Sequence, residues 1–72
     1  MTRIAVIGGG RIGEALIAGL IEGGLPTGSV VLAEKHPARA EAVATQFGIR
    51  ATSVVDAVEG ADVIVVAVKP DD

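Results

Sequence analysis

The chain has 72 residues, half of them apolar, with one aromatic, no cysteine and a formal charge of −3 at pH 7. Such a length supports one domain at most, and it buries about 60% of the surface that the unfolded chain exposes. Disulfides, thiol catalysis and zinc–thiolate sites are excluded together, and the interspersed acids and bases lack the basic footprint that a nucleic-acid backbone demands.

The opening MTRIAVIGGG has an apolar run too short for a secretory signal, and no segment reaches membrane-spanning length. A cytoplasmic protein is therefore expected, with no nucleic-acid partner and no membrane partner. Residues 4–7, IAVI, form a short unbroken apolar run that ends in glycines, the pattern of a strand buried on both faces. From Ile12 to about Ile21 the apolar residues recur at helical spacing, and Gly23, Gly24 and Pro26 end that helix. The small residues Ala15, Ala18 and Gly19 suggest that it sits close to a sheet.

Residues 29–34, SVVLAE, read as a second strand. Pro37 then takes the first-turn position it favours, while Ala40, Val43, Ala44 and Phe47 follow at i, i+3, i+4 and i+7, with Gly48 as the stop. Residues 49–52, IRAT, predict a short third strand. Ser53 to Asp56 has the form of a capping box for a brief helix that closes at Gly60. Residues 63–68, VIVVAV, are the longest apolar run, and their β-branching makes them strand four.

Strands alternating with helices predict a parallel sheet with right-handed crossovers, in the order 3-2-1-4 of a Rossmann-type α/β fold. The layering is expected to be incomplete. The first two helices cover one face, and only the segment 53–59 is available for the other. The chain is accordingly expected to be the front of a longer protein, ending just after strand four.

Gly8, Gly9, Gly10, Arg11, Ile12 and Gly13 match G-x-G-x-x-G between a strand and a helix, the context in which that motif holds a dinucleotide. Gly8 would permit the tight turn, Gly10 the approach of a pyrophosphate to bare backbone, and Gly13 close packing of helix on strand. The first-turn amides and the helix dipole would attract an anion by about 0.3 to 1 kcal/mol. Arg11 reads equally as a solvated residue or as a phosphate clamp, and Glu14 as a partner of the dipole.

Glu34 stands at the end of strand two, twenty-one residues past Gly13, where an acid receives the ribose hydroxyls of NAD. Lys35, His36 and Arg39 follow it directly and suit the 2′-phosphate of NADP, so both cofactors stay open; Lys35 and Arg39 also read as ordinary surface charges. Ala67, Val68, Lys69 and Pro70 close strand four, which places them across the switch-point crevice from the glycine loop. Pro70 would fix the backbone there.

With these residues placed, the whole chain resembles the N-terminal part of the pyrroline-5-carboxylate reductase family. The resemblance is carried by IAVIGGGRIGEALIAGL, AEKHPARAEAVATQFGI and above all ADVIVVAVKP. It implies cofactor contacts from Ile7 through Ile12, from Lys35 and His36, and from Ala67 to Pro70. It also implies hydride transfer from NAD(P)H to the C=N carbon of the small-molecule substrate 1-pyrroline-5-carboxylate, giving L-proline. A later helical domain would dimerise and supply the substrate pocket. Arg11 stands where the family has a small or uncharged polar residue, and Val54 where some members have a cofactor-contacting asparagine, so that contact is not carried over. No paired carboxylates, nucleophile–base pair or metal cluster is evident, so chemistry would belong to the cofactor, and the 72 residues alone are not expected to catalyse. Two other readings share the same front half: a deazaflavin-dependent NADP reductase or a prephenate or hydroxyacid dehydrogenase, and a non-catalytic dinucleotide sensor.

Overall fold

The computed structural model describes residues 2–8 and 10–67. In chain order it contains β1 (Ile4–Ile7), α1 (Arg11–Glu22), β2 (Val30–Ala33), α2 (Pro37–Phe47), β3 (Arg50–Ala51), α3 (Val54–Val58) and β4 (Val63–Val66), with a single 3-10 turn at Thr27–Ser29. The strands are parallel and lie in the order β3-β2-β1-β4, as expected for a Rossmann-type sheet.

Register explains how the two faces differ. Val6 lies between Leu32 and Val65, so those side chains share one face, while Ala5 and Ile7 share the other with Val31, Ala33, Ile64 and Val66. The first face carries the main core, in which Val6, Val30 and Leu32 meet Ile17 of α1, Val43 of α2 and Ile49. The second face is built from alanine: Ala5 and Ala33 pack against Ala57 of α3. A five-residue helix covers little area, and β4 shows the result. Ile64 is 50% exposed and Val66 65%.

Helix ends follow from local chemistry. Beyond α1 the amide of Gly24 donates to the Ile21 carbonyl at 3.0 Å and that of Leu25 to Leu20 at 3.1 Å, the paired bonds that close a helix at a glycine. In α2, Ala40, Val43, Ala44 and Phe47 are the residues withdrawn from solvent, the stripe that the spacing predicts. Ser53 caps α3, its Oγ accepting from the Asp56 amide at 3.2 Å, and Asp56 turns its carboxylate to the Thr52 hydroxyl at 3.5 Å.

Four expectations change. The fourth strand, expected over 63–68, ends at Val66, with Ala67 already outside it and Val68 outside the described residues. The second strand is shorter than 29–34, because Ser29 belongs to a 3-10 turn closed by its own amide on the Pro26 carbonyl at 2.9 Å, and Glu34 has already left the ladder. The third strand keeps only Arg50 and Ala51, which have a single neighbour in β2. In α1, Ala15 and Gly19 do not face the sheet: both are exposed, whereas Gly13 and Ile17 are buried.

Close approach of α1 to the sheet happens at Gly13. A Cβ built there would collide with the carbonyl oxygen of Gly8 and lie 3.7 Å from the Ala67 Cβ, whereas a Cβ on Gly19 would meet nothing within 4 Å. The two glycines should therefore respond with opposite signs to the same substitution. Gly19→Ala is expected to raise unfolding stability by about 0.5 to 1 kcal/mol, and Gly13→Ala to lower it by about 1 to 3 kcal/mol because backbone must move. Urea unfolding of the two variants checks this; a Gly13→Ala variant as stable as the parent would show that the contact is not held.

Candidate functional site

The carboxyl ends of β1, β2 and β4 are drawn together by bonds that extend the ladder one residue past β1 and past β4. The Gly8 amide donates to the Ala33 carbonyl and the Ala67 amide to the Ile7 carbonyl, both at 2.7 Å. Immediately beyond, Gly8 adopts φ 103°, a conformation that L side chains rarely enter, and the chain turns off the sheet into α1. Strand order reverses direction at this point, with β2 to one side of β1 and β4 to the other, and such a crevice is where open α/β sheets hold ligands.

A cleft of about 550 Å³ opens there. Its floor is Ile7 and Ala33, its near wall Gly8, Gly10, Arg11 and Ile12, and its far wall Glu34, Lys35, His36 and Arg39. Ala67 and Val54 close the remaining side. A smaller cavity of about 280 Å³ lies among Arg3, Ser29, Arg50 and Asp56, away from the glycine turn and the strand ends that form the switch point.

The glycines of the turn have separate reasons to be glycine. Gly8 needs its positive φ, and Gly13 needs contact with the Gly8 carbonyl. Gly10 needs neither. It is extended at φ −72°, ψ −169°, which any residue adopts, and among the described residues a Cβ on it would meet only the Arg39 guanidinium, at 3.7 Å. The fold does not require the missing side chain at Gly10. Backbone at Gly10 is therefore bare on the side that faces the cleft.

Gly10 is also the N-cap of α1, where it offers no side chain to the helix. Helical geometry leaves the amides of Arg11, Ile12 and Gly13 without an acceptor inside the helix, so their partner must come from outside it. Glu14, in the same turn, is the acid that the dipole favours.

The charges are arranged to match. Arg11, Lys35 and Arg39, half of the six Lys and Arg residues in a chain of net charge −3, border the cleft with Glu34 as the carboxylate among them. Glu34 accepts a hydrogen bond from the His36 amide at 3.2 Å, which closes the loop between β2 and α2. Arg39 lies in the first turn of α2 and reaches back over Gly10, so its guanidinium spans the two helices that border the cleft. Ile12 is 67% exposed although it opens a helix, and with Ile7, Val54 and Ala67 it gives the cleft an apolar side.

The cleft thus brings together Ile7, Gly8, Gly10, Arg11, Ile12, Glu34, Lys35, His36, Arg39 and Ala67. Gly13 does not line it but packs beneath it. Gly9, Val68, Lys69 and Pro70 lie outside the described residues. Two lining residues lie outside the expected set: Ala33, and Val54, whose position the resemblance marks as a cofactor contact in some members but whose contact is not carried over. Ala33 could have been found as the neighbour of Ile7 in a 3-2-1-4 sheet. Val54 comes to the cleft at the start of α3, and the signal for it is the family resemblance rather than any local pattern. Among the described residues no group of three His, Asp or Glu side chains is placed to hold a metal ion, and no helix is long and apolar enough to cross a membrane.

Comparison with known proteins agrees with this geometry. The chain is 53% identical over all 72 residues to pyrroline-5-carboxylate reductase of Mycobacterium leprae (strain TN) and 51% identical to that of Mycobacterium tuberculosis (strain ATCC 25618 / H37Rv). It spans about a quarter of those proteins, 24% of each. Among solved structures, a pyrroline-5-carboxylate reductase from Coxiella burnetii superposes with a TM-score of 0.88 at 27% identity, over 97% of this chain and 26% of that one. An imine reductase variant from Myxococcus stipitatus in complex with NAD+ gives 0.78 at 35% identity, over 94% of this chain and 23% of that one. The model of the family described as "NADP oxidoreductase coenzyme F420-dependent" matches residues 3–72, and the chain belongs to that family.

Proposed function

We propose that the chain is the N-terminal, dinucleotide-binding part of a pyrroline-5-carboxylate reductase that uses NADPH or NADH in the cytoplasm to make L-proline. The observation that carries this reading is the first turn of α1, uncapped by any side chain and opening on the cleft at the strand switch point. The 51–53% identity to reductases of that name supports the pyrroline as the substrate. A remainder of about three quarters of the relatives' length would supply the helical domain that dimerises and shapes the substrate pocket. Nucleic acid and membrane have no part in this reading.

The residues present fit the cofactor. The amides of Arg11 and Ile12 would hold the diphosphate, since Gly10 offers no Cβ to keep it off. Arg11 would add charge on the near wall. Glu34, Lys35 and His36 beyond β2 would take the adenosine half, and Ala67 beyond β4 the nicotinamide half. Ile7, Ile12 and Val54 would give the rings an apolar surface. When bound, the reduced nicotinamide supplies a hydride to the C=N carbon of the pyrroline ring, whose nitrogen takes a proton. Binding and orientation are what this part of the chain contributes.

The family description favours a second reading, in which the acceptor or donor is a deazaflavin. Fold does not choose between the two, but substrate does. The full-length protein should oxidise NADPH or NADH in the presence of 1-pyrroline-5-carboxylate, followed at the nicotinamide absorbance. Hydride transfer from NADPH to an oxidised deazaflavin and none to the pyrroline would establish the second reading, and binding without turnover on either would indicate a sensor.

The cradle itself has its own test. Gly10→Val should weaken dinucleotide binding by about a hundredfold or more, a loss of roughly 3 kcal/mol, while the melting temperature stays close to that of the parent. Calorimetric titration against either dinucleotide measures it, and unchanged affinity would remove the diphosphate from this turn.

A further inference from the structure

The smaller cavity, about 280 Å³, lies at the other end of the sheet from the cleft. Arg3 precedes β1, Ser29 precedes β2 and Arg50 opens β3, so these lining residues mark the amino ends of three strands, whereas the cleft is at the carboxyl ends. We infer that this cavity is a binding site for a small free α-amino acid, whose carboxylate meets Arg3 and Arg50 and whose ammonium group meets Asp56 and Glu59. The inference does not rest on the dinucleotide reading.

Pleat and register bring the four charges together. Ile4 joins the main core, so Arg3 leaves β1 on the other face, the one that α3 covers. Arg50 pairs with Val31, which belongs to that same face. The end of α3 stands over both: the Arg3 guanidinium lies 3.6 Å from the position a Gly60 Cβ would occupy, just past the helix. Asp56 and Glu59 are three residues apart there, on neighbouring positions of a helical surface. Asp56 is steadied by the Thr52 hydroxyl, which donates to its carboxylate at 3.5 Å.

Two guanidiniums and two carboxylates therefore border one cavity, and among the described residues none of the four side chains is in an ion pair. A bare anion here is repelled by the carboxylates and a bare cation by the guanidiniums. A small molecule carrying both charges satisfies both sides with charge-assisted hydrogen bonds. Ser29 is an independent sign of a ligand. It is 2% exposed and its Oγ has no hydrogen-bond partner among the described residues, although buried hydroxyls ordinarily find one. A carboxylate seated between the guanidiniums gives that hydroxyl an acceptor. Val31 and Ala57 supply a small apolar wall, which suits a short side chain or a ring.

L-Proline is a suitable probe, with cyclopentanecarboxylate and pyrrolidine as the same ring bearing one charge each. Calorimetric titration of the full-length protein with L-proline should show a binding component that Arg3→Met or Arg50→Met weakens by about tenfold and Gly10→Val leaves unchanged. Each single-charge analogue should bind that component at least about tenfold more weakly than L-proline. Asp56→Asn should weaken L-proline but strengthen cyclopentanecarboxylate, a change of opposite sign that a merely structural role would not produce. All four side chains are exposed, so the variants should melt close to the parent. Absence of L-proline binding, or identical L-proline isotherms in the parent and both arginine variants, overturns this inference, since binding in a substrate pocket elsewhere would not sense these arginines. Cyclopentanecarboxylate binding as tightly as L-proline overturns it too and makes the cavity a plain anion site. The dinucleotide reading is untouched by any of these results.

Discussion

One backbone contact organises the molecule: the carbonyl of Gly8 against the bare α-carbon of Gly13. It fixes how far α1 stands from β1 and so the direction in which the first-turn amides point. A side chain at Gly13 would push the helix away from the Gly8 carbonyl and shift the near wall of the cleft with it. The same approach sets the Ala67 Cβ against the helix, so the exit of β4 is held by the contact that shapes the exit of β1. Binding geometry and tertiary packing are here a single constraint.

The two faces of the sheet respond to that constraint differently. Under α1 and α2 the strands present Val6, Val30 and Leu32, large enough to fill the space beneath two helices. Under α3 they present Ala5 and Ala33, which lets a very short helix approach closely through Ala57. Close approach brings Val54, the first residue of α3, to the cleft. The cost is area. Burying a Val or Ile contributes about 1.5 to 3 kcal/mol, and Ile64 and Val66 of β4 forgo most of it on this side.

Legibility in the sequence follows the range of the forces involved. The α2 stripe is legible because Pro37 and Gly48 mark its ends and the residues between them obey one period. Sheet order is legible because parallel crossovers allow few alternatives. Strand ends are less so: apolar runs show what is buried, but Ser29 and Glu34 leave the ladder for a turn and a loop that periodicity does not register. The inward side of α1 is ambiguous for a related reason. Its sequence offers a small-residue side at Ala15 and Gly19 and a large-residue side at Ile17, and only the three-dimensional seat of Gly13 on Gly8 turns the second one inward. Most of the cleft was readable because its residues cluster at three strand exits, while Val54 arrives from a fourth element.

On the proposed dinucleotide reading, the cleft would divide its work between two parts of the chain. Backbone at the glycine turn can hold a diphosphate without reading the rest of the molecule, since amide donors and a helix dipole respond to charge and proximity alone. Discrimination needs side chains whose reach ends at one substituent. The residues after β2 meet that need because they lie on an exposed loop and the first turn of α2, where Lys35 or Arg39 can change without disturbing the core of Val6, Ile17 and Leu32. Glu34 ties this loop to itself through the His36 amide, so the cations are presented from a braced segment. On that reading holding would belong to the turn whose geometry the Gly8–Gly13 contact sets, and selection to exposed side chains that the core does not use.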